Sequence, residues 1–140
     1  ERQGLSTSEI MAEMGQVVLN LVVNAAHAIE ESQRSEGGNP MKKGTIRVCT
    51  KRASDHVELR IADSGSGIPT DIRERVFDPF FTTKEVGKGT GQGLALAYAT
   101  VVEQHGGTIT IEDADGLTGA CFVIRLPMAA VNESGEKEAA

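Results

Sequence analysis

Two asparagines, Asn20 and Asn24, interrupt an apolar stretch, Leu19-Asn20-Leu21-Val22-Val23-Asn24-Ala25. Four positions apart on a helix, they share a face. Buried amides are costly unless they find partners. On one reading Asn24 offers its carbonyl oxygen to Mg2+ while Asn20 shapes the phosphate end of a pocket. On the other, the pair satisfies internal backbone groups. Neither side chain is a base, so neither can activate water.

A second group is Asp63-Ser64-Gly65-Ser66-Gly67-Ile68. A carboxylate at a strand end can accept a hydrogen bond from an exocyclic amine, which would tell adenine from guanine. Gly65 and Gly67 would let the chain turn beneath a base without a Cβ clash. An ordinary Asp-Ser-Gly turn has the same composition.

The third group is Gly87-Lys88-Gly89-Thr90-Gly91-Gln92-Gly93-Leu94, which opens into a helical pattern. Free N–H groups at a helix start favour phosphate. The glycines alternate, so the run matches neither the dinucleotide fingerprint nor the P-loop. Lys84 and Lys88 flank it and could meet phosphates as mobile cations or remain solvated. Phe77-Asp78-Pro79-Phe80-Phe81 holds three of the four phenylalanines, an apolar anchor for the loop or a satellite core cluster. His27, His56 and His105 are scattered without metal spacing. Cys49 and Cys121 are far apart in the sequence and read as reduced, partly buried small hydrophobes.

These groups need a scaffold. Ser6 and Glu9 form a candidate capping box for a helix from about residue 8 to 35. Its apolar positions Met14, Val17, Val18, Leu21, Val22, Ala25, Ala28 and Ile29 follow the helical rhythm. Strands are expected over 45–50 and 56–62, joined by a turn. Pro69 starts a short helix to about Val76. Residues 78–92 form a long loop, which is uncommon unless functional. A second helix follows over 91–104, stopped by Gly106-Gly107. Strands over 108–112 and 120–126 close the pattern, up to Pro127. The expectation is an α/β two-layer sandwich, a mixed and mostly antiparallel sheet with helices on one face. Residues 1–9 make a polar segment, 10–128 the domain and 129–140 a polar tail.

The formal net charge of −6 argues against a non-specific nucleic-acid surface. No apolar run reaches the roughly 18–20 residues of a membrane span, so no direct membrane contact is expected of this domain. A cytoplasmic location is expected, although a longer parent could be membrane-anchored.

In order, the motifs resemble those of sensor histidine kinases. Residues 20–25 resemble the N box, 63–68 the first glycine box, 77–84 the F box and 89–94 the second glycine box. Gln104-His105-Gly106-Gly107 and Gly119-Ala120-Cys121-Phe122 resemble the closing strands. The resemblance covers about residues 14–127. It is to the ATP-binding catalytic domain, within the superfamily shared with gyrase, a heat-shock chaperone and MutL.

The resemblance implies ATP and Mg2+ as ligands, with Asn24 on the metal and Asp63 on the adenine amino group. Gly65, Gly67, Ile68 and Phe80 would shape the base pocket. Lys84, Lys88, Gly89, Thr90, Gly91, Gly93 and Leu94 would surround the phosphates, with a lid over about 78–92. Asn20, Asn24 and Lys84 would be the residues of transfer. The γ-phosphoryl would pass to a histidine on a dimerisation domain that this chain lacks, then to a response regulator. None of the three histidines has the family's His-Glu context, and a monomer is expected.

Departures are specific. Gln92 stands where the family usually has Leu, and Ala95 where Ser is common. Residues 1–9 are too few and too polar to supply the strands that normally precede the N-box helix. Related hydrolases carry Glu where this chain has Asn20, which favours transfer over hydrolysis. Two alternatives stay open: a serine kinase of the anti-sigma-factor type, and a non-catalytic nucleotide-gated interaction module.

Overall fold

The computed structural model describes residues 6–35, 43–78 and 93–127. Helix α1 runs over Thr7–Ser35, about 43 Å at 1.5 Å per residue. A reciprocal cap sets its start. The Glu9 amide donates to Ser6 Oγ at 3.2 Å, and the Ser6 amide donates to Glu9 Oε2 at 3.5 Å. Val17, Leu21, Ala25 and Ile29 recur every four residues and are all buried. That stripe drives α1 onto the sheet.

The sheet has strands β1 (Ile46–Arg52), β2 (His56–Asp63), β3 (Thr108–Asp113) and β4 (Ala120–Pro127). Their order is β1-β2-β4-β3, and all three pairings are antiparallel. Register places Ile61 opposite Phe122 and Phe122 opposite Ile111. One step along, Leu59 faces Ile124 and Ile124 faces Ile109. These rows pack with Val17, Leu21, Ala97 and Val101 into one core. Alternation then sends Glu58, Arg60, Glu112 and Arg125 to the opposite face, where they pair with one another. Ala62, Cys121 and Val123 are buried on that face beneath Ala114, with Leu117 packed against them. Burial pushes the Cys121 thiol up.

Cys49 departs from the expectation of partial burial. It is exposed, because β1 is an edge strand whose outer face nothing covers among the described residues. The helix expected after Pro69 is a single 3-10 turn, Thr70–Ile72. Beyond it the amides of Arg75 and Val76 both donate to the Ile72 carbonyl, so the chain turns irregularly.

The second expected helix divides. α2 spans Gly93–Tyr98, and Ala99–Gln104 continue it as a π-helix. The β-branched run Thr100-Val101-Val102 crowds an ordinary turn. Gly106, at φ +70°, ends the segment in the left-handed region, and the Gly107 amide returns to the Val101 carbonyl at 2.8 Å. α2 lies antiparallel to α1. Gly93 meets Asn20 at one end, and His105 Nε2 sits 2.8 Å from Glu13 Oε1 at the other.

Candidate functional site

Asp63 is the last residue of β2 and is only 2% exposed. Its Oδ1 accepts the Gly65 amide at 2.8 Å and the Ala120 amide at 3.4 Å. Its carbonyl accepts the Gly119 amide at 3.1 Å. No hydrogen bond engages Oδ2 among the described residues. Burial pushes the carboxyl above its ordinary range, against the pull of the Gly65 and Ala120 amides. The result is a buried carboxylate fixed at one oxygen, with the other left to accept.

Two glycines allow this packing. A Cβ on Gly65 would press within 2.9 Å of the Ala28 backbone of α1. A Cβ on Gly119 would overlap the Asp63 carboxylate itself. Gly67 is required for another reason: at φ +84° it sits in the left-handed region, although a Cβ there would make only ordinary contacts, 3.8 Å or more, with the Thr118 and Gly119 backbone.

Hydrogen bonds hold the glycine loop from outside. Thr118 Oγ1 donates to the carbonyls of Ser64 and Gly65, each at 3.0 Å. Arg73 Nε donates to the Ile68 carbonyl at 2.8 Å, while its guanidinium pairs with Asp113 at 2.6 Å. The Ile68 side chain packs against the core beneath α1. Gly119, Thr118 and Arg73 were not among the sequence candidates. Gly119 had a faint signal, a glycine directly before a strand.

Two turns back along α1 from Ala28, Asn20 Nδ2 donates to the Gly93 carbonyl at 3.2 Å. Gln16 Nε2 donates to Asn20 Oδ1 at 2.9 Å. Leu94, beside Gly93, packs into the core. Asn24 is half-buried, and its side chain finds no hydrogen-bond partner among the described residues. Asn20 and Asn24, for which different tasks are expected, thus stand in different surroundings. One is engaged with Gly93 and Gln16, and the other is available.

Asn20, Asn24 and Ala28 fall at every fourth residue along one face of α1. Gly93 stands at the Asn20 level, and the Asp63–Gly67 loop at the Ala28 level. The two ends lie about 12 Å apart along the helix axis. A donor-selective carboxylate marks one end, and the opening of α2 marks the other. Asn24 lies between them. No group of three or more His, Cys, Asp or Glu suited to a metal exists among the described residues. A cation here would be held through a ligand's phosphates plus one amide oxygen, which suits Mg2+.

Phe80, Lys84, Lys88, Gly89, Thr90 and Gly91 lie outside the described residues, as does the expected lid except Asp78.

The histidine kinase-, DNA gyrase B- and HSP90-like ATPase family model matches residues 11–130. Sensor kinase CckA of Brucella abortus (strain 2308) is 38% identical over 125 residues, covering 84% of this chain and 13% of that protein. Sensor histidine kinase ZraS of Salmonella typhimurium is 43% identical over 116 residues, covering 82% and 22%. The chain thus spans less than a quarter of the length of these curated relatives. Among solved structures, the nucleotide-free catalytic domain of histidine kinase ThkA superposes with a TM-score of 0.66 at 32% identity, covering 83% of this chain and 67% of that one. Mycobacterial sensor histidine kinase MprB gives 0.67 at 32% identity, covering 83% and 72%.

Proposed function

The chain belongs to the histidine kinase-, DNA gyrase B- and HSP90-like ATPase family, and on that footing we propose that it is the ATP-binding catalytic domain of a two-component sensor histidine kinase. The observation that carries this reading is the line Asn20–Asn24–Ala28, with the buried Asp63 carboxylate at one end and Gly93 at the other. A nucleotide laid along that line has its base at Asp63 and its phosphates toward Gly93.

Each residue then has a task. Asp63 Oδ2 accepts from the adenine amino group while Oδ1 stays tied to the Gly65 amide. Gly65, Gly67 and Ile68 give the base a floor, joined by Phe80. Asn24 would hold Mg2+, which would supply charge neutralisation at the phosphates. Asn20 keeps the start of α2 against α1. Gly89, Thr90, Gly91 and Gly93 present backbone N–H groups to the phosphates, and Leu94 anchors the segment. Lys84 and Lys88 close over them as cations, in a lid over about 78–92 within a domain over 10–128. With no carboxylate at Asn20 or Asn24, neither can take a proton from water. Positioning and charge stabilisation carry the transfer.

The acceptor is a histidine on a dimerisation domain outside this chain, and the phosphoryl group passes next to a response-regulator aspartate. No helix among the described residues is long and apolar enough to cross a membrane. We place the domain in the cytoplasm, where ATP is available.

The test supplies a dimerisation domain in trans with ATP labelled at the γ-phosphate. Acid-labile, base-stable label on that domain is the expected result. No label, from a chain that binds nucleotide normally, would overturn the kinase reading and leave a binding module.

A further inference from the structure

The contact between α1 and α2 has a direction. Gly93 offers a backbone carbonyl, which can only accept. Asn20 must therefore turn its Nδ2 toward Gly93, leaving Oδ1 facing back along α1. There, one turn earlier, Gln16 Nε2 donates to that oxygen at 2.9 Å. If the Asn20 amide flips, Oδ1 faces the Gly93 carbonyl and Nδ2 faces the Gln16 amide nitrogen. Both contacts then become repulsive.

We propose that Gln16 is a positioning residue, locking the Asn20 amide so that Gly93, the residue opening α2, stays fastened to α1. It touches neither nucleotide nor metal on this reading and acts only through Asn20. The relay also explains the division between the two asparagines. Asn20 Oδ1 is occupied by Gln16, which leaves Asn24 as the amide oxygen free for a cation. The inference rests on the nucleotide reading above and adds a residue that reading does not contain.

Gln16 is exposed, so its replacement leaves the core intact. Gln16→Met keeps the length and helix propensity but removes the donor. Gln16→Glu puts an acceptor against Asn20 Oδ1. Gln16→Ala serves as a second neutral variant should either misfold. Full-length chains are titrated calorimetrically with adenosine and with adenosine 5′-(β,γ-imido)triphosphate in Mg2+. The Asn20 side-chain amide is followed by NMR, assigned through Asn20→Asp.

The expected result is unchanged adenosine affinity in all variants. Affinity for the triphosphate analogue drops roughly fivefold in Gln16→Met, the worth of one hydrogen bond, and further in Gln16→Glu. The Asn20 amide signal moves in both. A merely structural role would lower both affinities together. An unchanged ratio of the two affinities, in a wild-type chain that binds both ligands, would overturn the relay alone. No binding of either ligand by the wild type would overturn the nucleotide reading and the relay with it.

Discussion

Gly119 stands directly against the Asp63 carboxylate, with no room for a side chain between them. Its amide donates to the Asp63 carbonyl at 3.1 Å, and the next amide, of Ala120, reaches the carboxylate at 3.4 Å. The start of β4 thus forms the back wall of the acidic site at the end of β2. Gly119→Ala is expected to displace Asp63 or the β4 start. It should cost about 1–3 kcal/mol of stability, the usual range for forced overpacking. Adenine-nucleotide binding should fall with it. Chemical denaturation and calorimetry measure the two effects, and native binding by the alanine variant would contradict this wall.

The same carboxylate predicts a pH dependence. Burial raises its folded-state pKa. In the window between the usual carboxylate range and that raised value, the folded chain binds more protons than the unfolded one. Stability of the free protein therefore falls as pH rises through this window. Binding runs the opposite way, because an ionised carboxylate accepts from an amino donor more strongly than a protonated one. Adenine-nucleotide affinity should weaken as pH falls through the raised value. Asp63→Asn should lose this acid limb. Titrations across a pH series compare the two chains, and parallel profiles would remove Asp63 from the base site.

Asn24 separates metal dependence from base recognition. Asn24→Ala should leave adenosine binding unchanged and weaken the triphosphate analogue by roughly tenfold in Mg2+. Without Mg2+ the two chains should bind alike. A loss that is equal with and without the metal would assign Asn24 to direct phosphate or structural contact instead.

Stability should divide sharply along α1. Leu21 is fully buried against the sheet, whereas Leu19 is 54% exposed. Leu21→Ala is expected to cost about 2–5 kcal/mol. Leu19→Ala should stay within about 0.5 kcal/mol. Urea denaturation measures both, and similar values would misplace the buried face.

Much of this was legible in the sequence because it repeats. The stripe Val17–Leu21–Ala25–Ile29 and the alternation Val57–Leu59–Ile61 each have one period and one solution. The Asp63 loop could be read as well, since glycines beside a strand-end carboxylate suggest a specific turn. What escaped lacks a period. Gly119 reaches Asp63 only because antiparallel pairing returns the chain across 56 residues. Arg73 carries no signal in the sequence for the contacts its fork makes with the Ile68 carbonyl and Asp113. The π-helix adds a register slip inside an apolar pattern that still reads as an α-helix. Gln16 drew no notice because an exposed amide on a helix is ordinary until its neighbour has a fixed orientation.

Asp63 also belongs to the framework. Its carbonyl and carboxylate tie down the start of β4 and the glycine loop, while the adjoining Ser64 amide donates to Thr45 just before β1 at 3.1 Å. Three strand ends are thus gathered at one residue, and a ligand held there braces them all. At a concentration about a hundred times its dissociation constant, such a ligand adds about 2.7 kcal/mol to folding. A chain emptied of that ligand should then open, and be cut by a protease, more readily than one that holds it.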